Sequence, residues 1–233
     1  MTPASFSIIV PVLDEAPGIV ACLAGLQEAR SAGAEVIVVD GGSRDDTREL
    51  AAPLADRVIE APRGRAAQMN AGARASRGEA LVFLHADTVL PPGALVQVAA
   101  GLSASGRAWG RFDVAIAAAD PLLAVVAMFM NARSRLTGIA TGDQAMFARR
   151  AAFESVGGFP EIALMEDVAL STRLRRVTRP LCIATRAVTS GRRWERHGTL
   201  RTILLMWRLR LEYALGADPG RLARRYDVER ISP

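Results

Sequence analysis

The fold is decided by Glu35-Val36-Ile37-Val38-Val39-Asp40-Gly41-Gly42-Ser43-Arg44-Asp45-Asp46-Thr47. Four consecutive β-branched residues form a run too short for a buried helix, and they read as a strand covered on both faces. The strand closes on a carboxylate, Asp40. Gly41-Gly42-Ser43 then turns the chain, and Asp45 and Asp46 open a helix at the end where free N–H groups favour negative charge.

The same strand-then-helix unit recurs on either side. Upstream, Phe6-Ser7-Ile8-Ile9-Val10-Pro11-Val12 reads as a buried strand, followed by a helix over 17–29 with Pro17 in its first turn. Downstream come a short strand over 57–60, a helix over 66–75, and a strand over 80–84 that stops at His85-Ala86-Asp87. Strands alternating with helices predict an α/β fold with a mostly parallel sheet flanked by helices. Beyond about residue 106 the alternation loosens into an α+β half. It holds a strand over 112–116, a helix over 122–135, a short strand over 145–148 and a helix over 166–176. An amphipathic helix over 199–215 ends the pattern. No low-complexity linker separates these parts, so 1–233 reads as one domain in three stretches, 1–105, 106–198 and 199–233.

Composition narrows the chemistry. Of 233 residues, 29 are basic against 24 acidic, and every basic residue is arginine. The absence of lysine excludes a Walker-type phosphate loop and Schiff-base catalysis. The arginine surplus suits phosphate groups or an anionic membrane surface, and equally a codon bias towards arginine. Cys22 and Cys182 lack metal-ligand spacing and read as buried thiols in a reducing compartment. The N-terminus has no signal-peptide pattern, and the longest apolar run, 122–130, is too short to cross a bilayer. These features predict a cytoplasmic protein, with peripheral contact on the inner membrane face left open.

In an open parallel sheet, ligands bind beyond the carboxyl ends of the strands. Three acidic strand exits converge there: Asp14-Glu15, Asp40 with Asp45, and Asp87. Carboxylates gathered at that rim fit a bound divalent cation, or a grip on ribose and base groups, or plain helix capping. The loop after Asp40 lacks G-x-G-x-x-G, and its Asp45 and Asp46 would repel a pyrophosphate, which disfavours a dinucleotide-binding oxidoreductase.

These segments carry a resemblance. Ile9-Val10-Pro11-Val12-Leu13-Asp14-Glu15, Val38-Val39-Asp40-Gly41-Gly42-Ser43-Arg44-Asp45-Asp46-Thr47 and His85-Ala86-Asp87 resemble the family 2 glycosyltransferases of GT-A fold. Gly142-Asp143-Gln144-Ala145-Met146-Phe147, Gly157-Gly158-Phe159-Pro160 and Met165-Glu166-Asp167-Val168-Ala169-Leu170 extend the likeness over about residues 6–197. The resemblance implies inverting transfer from a nucleoside diphosphate sugar to an acceptor hydroxyl. Residues 1–105 would hold the donor and 106–198 the acceptor and catalytic groups.

Residue by residue, the likeness assigns Pro11, Glu15, Asp40 and Asp45 to the nucleotide pocket, with Arg65, Gln68 and Asn70 on a nucleotide-facing loop. Asp87 matches the second carboxylate of an Asp-x-Asp motif for Mn²⁺ or Mg²⁺. His85 replaces the first, as a ligand better suited to Mn²⁺ or as a ring packed at the strand exit. Asp167 matches the general base, with Glu166 beside it to orient the acceptor or brace the loop. Asp143 and Gln144 fall on the diphosphate and acceptor side. Arg192-Arg193-Trp194 resembles the end of a Gln-x-x-Arg-Trp motif, placing Arg193 and Trp194 by the diphosphate and acceptor, although Ser190 replaces the Gln. His197 stands within reach of the metal or on the surface.

The acceptor is unassigned, and a lipid-linked one fits an interfacial reading of the 199–215 helix. Core closure or a homodimer contact fits that helix as well. No nucleic-acid partner is expected. A nucleotidyltransferase of related fold and a non-catalytic nucleotide-sugar-binding protein remain the alternatives.

Overall fold

The computed structural model describes residues 5–231, the side chains of 193, 196, 197 and 227–231 apart. In chain order the elements are β1 (Phe6–Val12), α1 (Ala16–Ala24), α2 (Gln27–Ser31), β2 (Glu35–Asp40), α3 (Thr47–Ala51), β3 (Arg57–Glu60), α4 (Arg65–Ala75) and β4 (Ala80–Phe83). Then follow β5 (Thr88–Val89), α5 (Ala94–Ser105), β6 (Trp109–Ala117), α6 (Leu122–Thr137), a 3-10 turn (Gly142–Gln144), β7 (Met146–Arg149), α7 (Arg150–Ser155) and α8 (Glu166–Leu174). The chain ends with β8 (Leu181–Ser190), α9 (Arg192–His197), α10 (Thr199–Ala214) and α11 (Pro219–Ile231).

The strands form one sheet in the order β3-β2-β1-β4-β7-β6-β8-β5. The first four run parallel, as the alternating pattern predicts. β7 enters antiparallel between β4 and β6, and β6 pairs with β8 in parallel across an irregularity at Phe112/Asp113. One apolar layer packs Ile8, Val10, Leu23, Val38 and Leu84 on one face of the sheet. A second packs Ile9, Met69, Leu81, Phe83 and Phe159 on the other. Burial on both faces explains why the early strands read as continuous apolar runs.

The expected helix over 17–29 is two helices. Gln27 donates its amide to the carbonyls of Leu23 and Leu54, which ties the end of α1 to the neighbouring loop. α5 adds a helix to the elements read from the sequence: it follows Pro91-Pro92-Gly93, and Ala94, Val98 and Leu102 bury one face at helical spacing. Cys22 is buried, and burial pushes its thiol up to about 12. Cys182 is only partly covered, contrary to the expected pair of buried thiols.

The 199–215 helix is present as α10, but it does not simply close the core. Leu209 packs with Leu164, Met165, Leu222 and Tyr226 in a third, small core. Leu200, Leu204, Trp207, Leu211 and Leu215 instead project into solvent, each more than 60% exposed. Among the described residues, no helix is long and apolar enough to cross a membrane.

Candidate active site

The rim of the sheet is shaped by three non-glycine residues held at positive φ: Asp14 at 53°, Ala145 at 44° and Met165 at 70°. Such conformations are uncommon for residues with a Cβ and concentrate at functional sites. Each lies beside a segment singled out in the sequence. Asp14 lies in the loop just past β1, Ala145 follows the 3-10 turn, and Met165 immediately precedes Glu166.

Asp14 and Asp45 knit the first two strand exits together. Asp14 accepts from the Arg44 N–H at 2.8 Å, and its own N–H donates to Ser43 Oγ at 2.9 Å. Asp45 accepts from the N–H groups of Ala16 and Thr47, each at 3.1 Å, which caps α1 and α3 at once. The Thr47 hydroxyl bond leads the effects that hold the Asp45 carboxyl below its usual range. Glu15 sits half-buried behind this loop. Burial raises its pKa, Asp87 adds to the rise, and Arg192, 3.9 Å away, opposes it.

Several residues assigned to the donor and acceptor sides make hydrogen bonds within the chain itself. Asp40 is fully buried and accepts from the Gly42 and Ser43 N–H groups and the Ser43 hydroxyl, so its carboxylate builds the turn. Gln68 stands on α4 and not on a loop, and its amide donates to the carbonyls of Val12 and Val39, both at 2.7 Å. Asn70 exchanges two hydrogen bonds with the Phe159 backbone. Gln144 is fully buried and caps its own turn through Thr141. Pro11 is buried within β1. These side chains satisfy strand-end and loop backbone groups, an obligation that any buried polar atom must meet. The signal was available, since an amide in the apolar face of a helix has to pair with something buried.

The remaining predicted residues converge on one cavity of about 610 Å³. His85 and Asp87 reach it from the exit of β4, Arg65 from the first turn of α4, Asp143 from the 3-10 turn, Glu166 and Asp167 from α8, and Trp194 from α9. The side chains of Arg193 and His197 lie outside the described residues. His85 Nδ1 is 3.5 Å from Asp143 Oδ1.

Gly142 couples the two halves of the site. Its N–H donates to Asp167 Oδ2 at 2.9 Å, and a Cβ on it would lie 2.3 Å from the His85 ring, so glycine lets the imidazole and the carboxylate share one backbone segment. Asp167 Oδ1 accepts from the N–H of Val168 at 2.7 Å, which leaves its carboxylate doubly anchored on the cavity wall. Glu166 is buried and meets Arg65 Nε at 3.3 Å. Burial raises its pKa, and the Arg65 charge counters that rise.

Among the described residues no three acidic, histidine or cysteine side chains form a ready-made metal cluster. Asp87 and His85 nevertheless share the cavity wall. One carboxylate and one imidazole fit a cation that completes its shell with substrate phosphate oxygens and water.

The topology and the rim together define an α/β chain of GT-A type. The profile of glycosyl transferase family 2 matches residues 7–157, and the chain belongs to that family. Among curated proteins, a PGL/p-HBAD biosynthesis glycosyltransferase of Mycobacterium tuberculosis is 37% identical over 97 residues, covering 39% of this chain. The chain matches only 38% of that relative's length. Among solved structures, the mannosyltransferase PcManGT of Pyrobaculum calidifontis, in complex with GDP-Man and Mn²⁺, superposes with a TM-score of 0.65 at 20% identity, covering 100% of this chain and 71% of that one. S. aureus TarS 1-349, in complex with UDP-GlcNAc, gives 0.65 at 18% identity over 80% of this chain and 58% of that one. At such identities these two structures share the fold.

Proposed function

We propose that the protein transfers a sugar from a nucleoside diphosphate sugar to an acceptor hydroxyl with inversion at the anomeric carbon. The observation that carries this reading is the cavity lined by His85, Asp87 and an anchored, half-buried Asp167. Two solved GT-A neighbours bound to sugar nucleotides support the donor class. Asp87 and His85 would hold a divalent ion, which would supply electrophilic stabilisation of the leaving diphosphate. Arg65, fixed by Glu166, presents positive charge to the same space. Asp167 accepts the hydroxyl proton as the acceptor oxygen attacks the anomeric carbon from the face opposite the leaving group, and both acceptor bonds to backbone N–H groups hold it in place.

The test is incubation with labelled UDP- and GDP-sugars, with Mn²⁺ or with EDTA. Release of nucleoside diphosphate is expected in Mn²⁺ and not in EDTA, and Asp87→Asn should lose the Mn²⁺-dependent part. Equal donor affinity in both media, measured by calorimetry, would refute the metal role.

The exposed stripe of α10 supports peripheral contact with an anionic membrane. Arg201 is exposed on the same helix as Leu204 and Trp207, which pairs a cation with apolar side chains as an interfacial helix requires. The protein is expected to sediment with phosphatidylglycerol-containing vesicles and to be released at high salt, since the attraction is screened. Equal recovery in the supernatant with and without vesicles, or a stable dimer that buries Trp207, would exclude this contact.

A further inference from the structure

Two further arginines that take no part in the proposed transfer line the same cavity. Arg133 projects from α6 and Arg210 from α10, and both line the cavity. Arg133 Nε and Nη2 and Arg210 Nε are shut off from solvent and have no hydrogen-bond partner among the described residues. The partner Arg133 does have is the Ile139 carbonyl, 3.3 Å from Nη1. Burial first, and the neighbouring Arg210 charge next, push Arg133 down to about 10, while Asp167 opposes them.

Arg111 of β6, bonded to α6, shows what a structural arginine looks like in this fold. It is fully buried, and it donates to Ser134 Oγ, the Asn131 carbonyl and Asp113. Among the described residues, Arg133 and Arg210 have no comparable set of acceptors. A buried charged donor left unpaired is costly, and placing a second like charge beside it adds repulsion. A multivalent anion entering the cavity relieves both, because guanidinium forks match tetrahedral oxyanions.

What surrounds the pair narrows the ligand further. Val126, Phe129 and Met130 of α6 face the cavity together with Ile203, Met206 and Trp207 of α10. Phe129 and Trp207 are also 62% and 68% exposed, so this apolar wall continues to the protein surface. The arrangement is cationic inside and apolar towards solvent, the reverse of a surface that merely attracts phosphate.

We propose that Arg133 and Arg210 form an acceptor-side anion subsite that takes a phosphate-type group of the acceptor, with its hydrocarbon portion lying between α6 and α10. This rests on the transferase reading and adds the acceptor class to it. The subsite anchors the acceptor in the compartment where Asp167 waits for its hydroxyl. It is separate from the donor phosphates, for which His85, Asp87 and Arg65 are the counterparts.

The test is calorimetry on the whole protein with octyl phosphate, inorganic phosphate and octanol, alongside UDP or GDP with Mn²⁺ as the donor-side probe. Octyl phosphate is expected to bind more tightly than inorganic phosphate, and octanol to bind least. Arg133→Gln and Arg210→Gln should each weaken octyl phosphate at least tenfold while leaving Mn²⁺-nucleotide affinity within twofold. Arg133→Met should unfold at the same temperature as the parent or higher, because it removes a charge with few partners.

Inorganic phosphate binding as tightly as octyl phosphate would point to a free phosphorylated acceptor and overturn the apolar part of the proposal. Octyl phosphate binding that ignores both arginine variants would overturn the anion subsite. Loss of nucleotide affinity in those variants would assign the pair to the donor diphosphate and overturn it as well. If octyl phosphate fails to bind while Mn²⁺-nucleotide binds, the subsite is wrong and the transferase reading stands. If no nucleotide binds under any condition, the transferase reading itself fails.

Discussion

Asp167→Asn is expected to lower kcat by about 10² or more while leaving donor affinity nearly unchanged. The substitution keeps the side chain's shape and removes its basicity. In the native site Oδ2 accepts from the Gly142 N–H and Oδ1 from the Val168 N–H, so both oxygens are oriented by backbone donors. An asparagine can satisfy one of these with its carbonyl oxygen, but its NH₂ group would face the other donor. The cost therefore falls on the acceptor-facing group and its immediate backbone, while Asp87, His85 and Arg65 keep their positions. Single-turnover kinetics with the donor bound separates the chemical step from product release, and calorimetry reports the donor affinity. Wild-type turnover in this variant would remove Asp167 as the base and make Asp143, on the same cavity, the next residue to test. Glu166 is the weaker alternative, since it is buried against Arg65 and lies about 100° around the helix from Asp167.

The largest effect on stability is expected from Gly110→Ala. Gly110 lies in β6 opposite Leu181 of β8 and Phe147 of β7. A Cβ there would stand 2.2 Å from the Leu181 carbonyl oxygen and 2.6 Å from the Phe147 ring. The first of these is a backbone atom inside a paired sheet, so it cannot rotate away as a side chain would. Overpacking of this kind costs about 3 kcal/mol, the upper end of the usual range. In a chain of this length that corresponds to a fall in Tm of roughly 6–12 °C. Thermal unfolding followed by circular dichroism measures it. A Tm within about 2 °C of the parent would mean that β6 and β8 separate more easily than their register implies.

How much was legible in the sequence follows from which interactions are local. β1 and β2 could be bounded from the letters alone, because a strand buried on both faces leaves an uninterrupted apolar run. The acidic strand exits were equally plain, since in a parallel sheet each strand's end lies on the ligand-binding rim. The order of β7, β6, β8 and β5 was not legible. Those strands are joined by long connections and pair with partners far away in the chain, and β8 interrupts its apolar residues with Thr, Ala and Arg186, with an irregularity opposite Phe112/Asp113.

The same division runs through the site. His85, Asp87, Glu166 and Asp167 stood out because acidic and imidazole groups at strand and helix ends are chemical signals that a short segment carries by itself. That Asp40, Gln68, Asn70 and Gln144 are internal braces depends on which backbone carbonyl or N–H group each one meets, and those groups come from residues packed against them by the fold. Arg133 and Arg210 are the extreme case. Each reads in sequence as an ordinary charge on an amphipathic helix, 77 residues from the other. Only the packing of α6 and α10 around one cavity turns them into a pair of partly buried cations whose shielded nitrogens lack acceptors among the described residues, because desolvation and like-charge proximity are properties of tertiary structure and not of either helix alone.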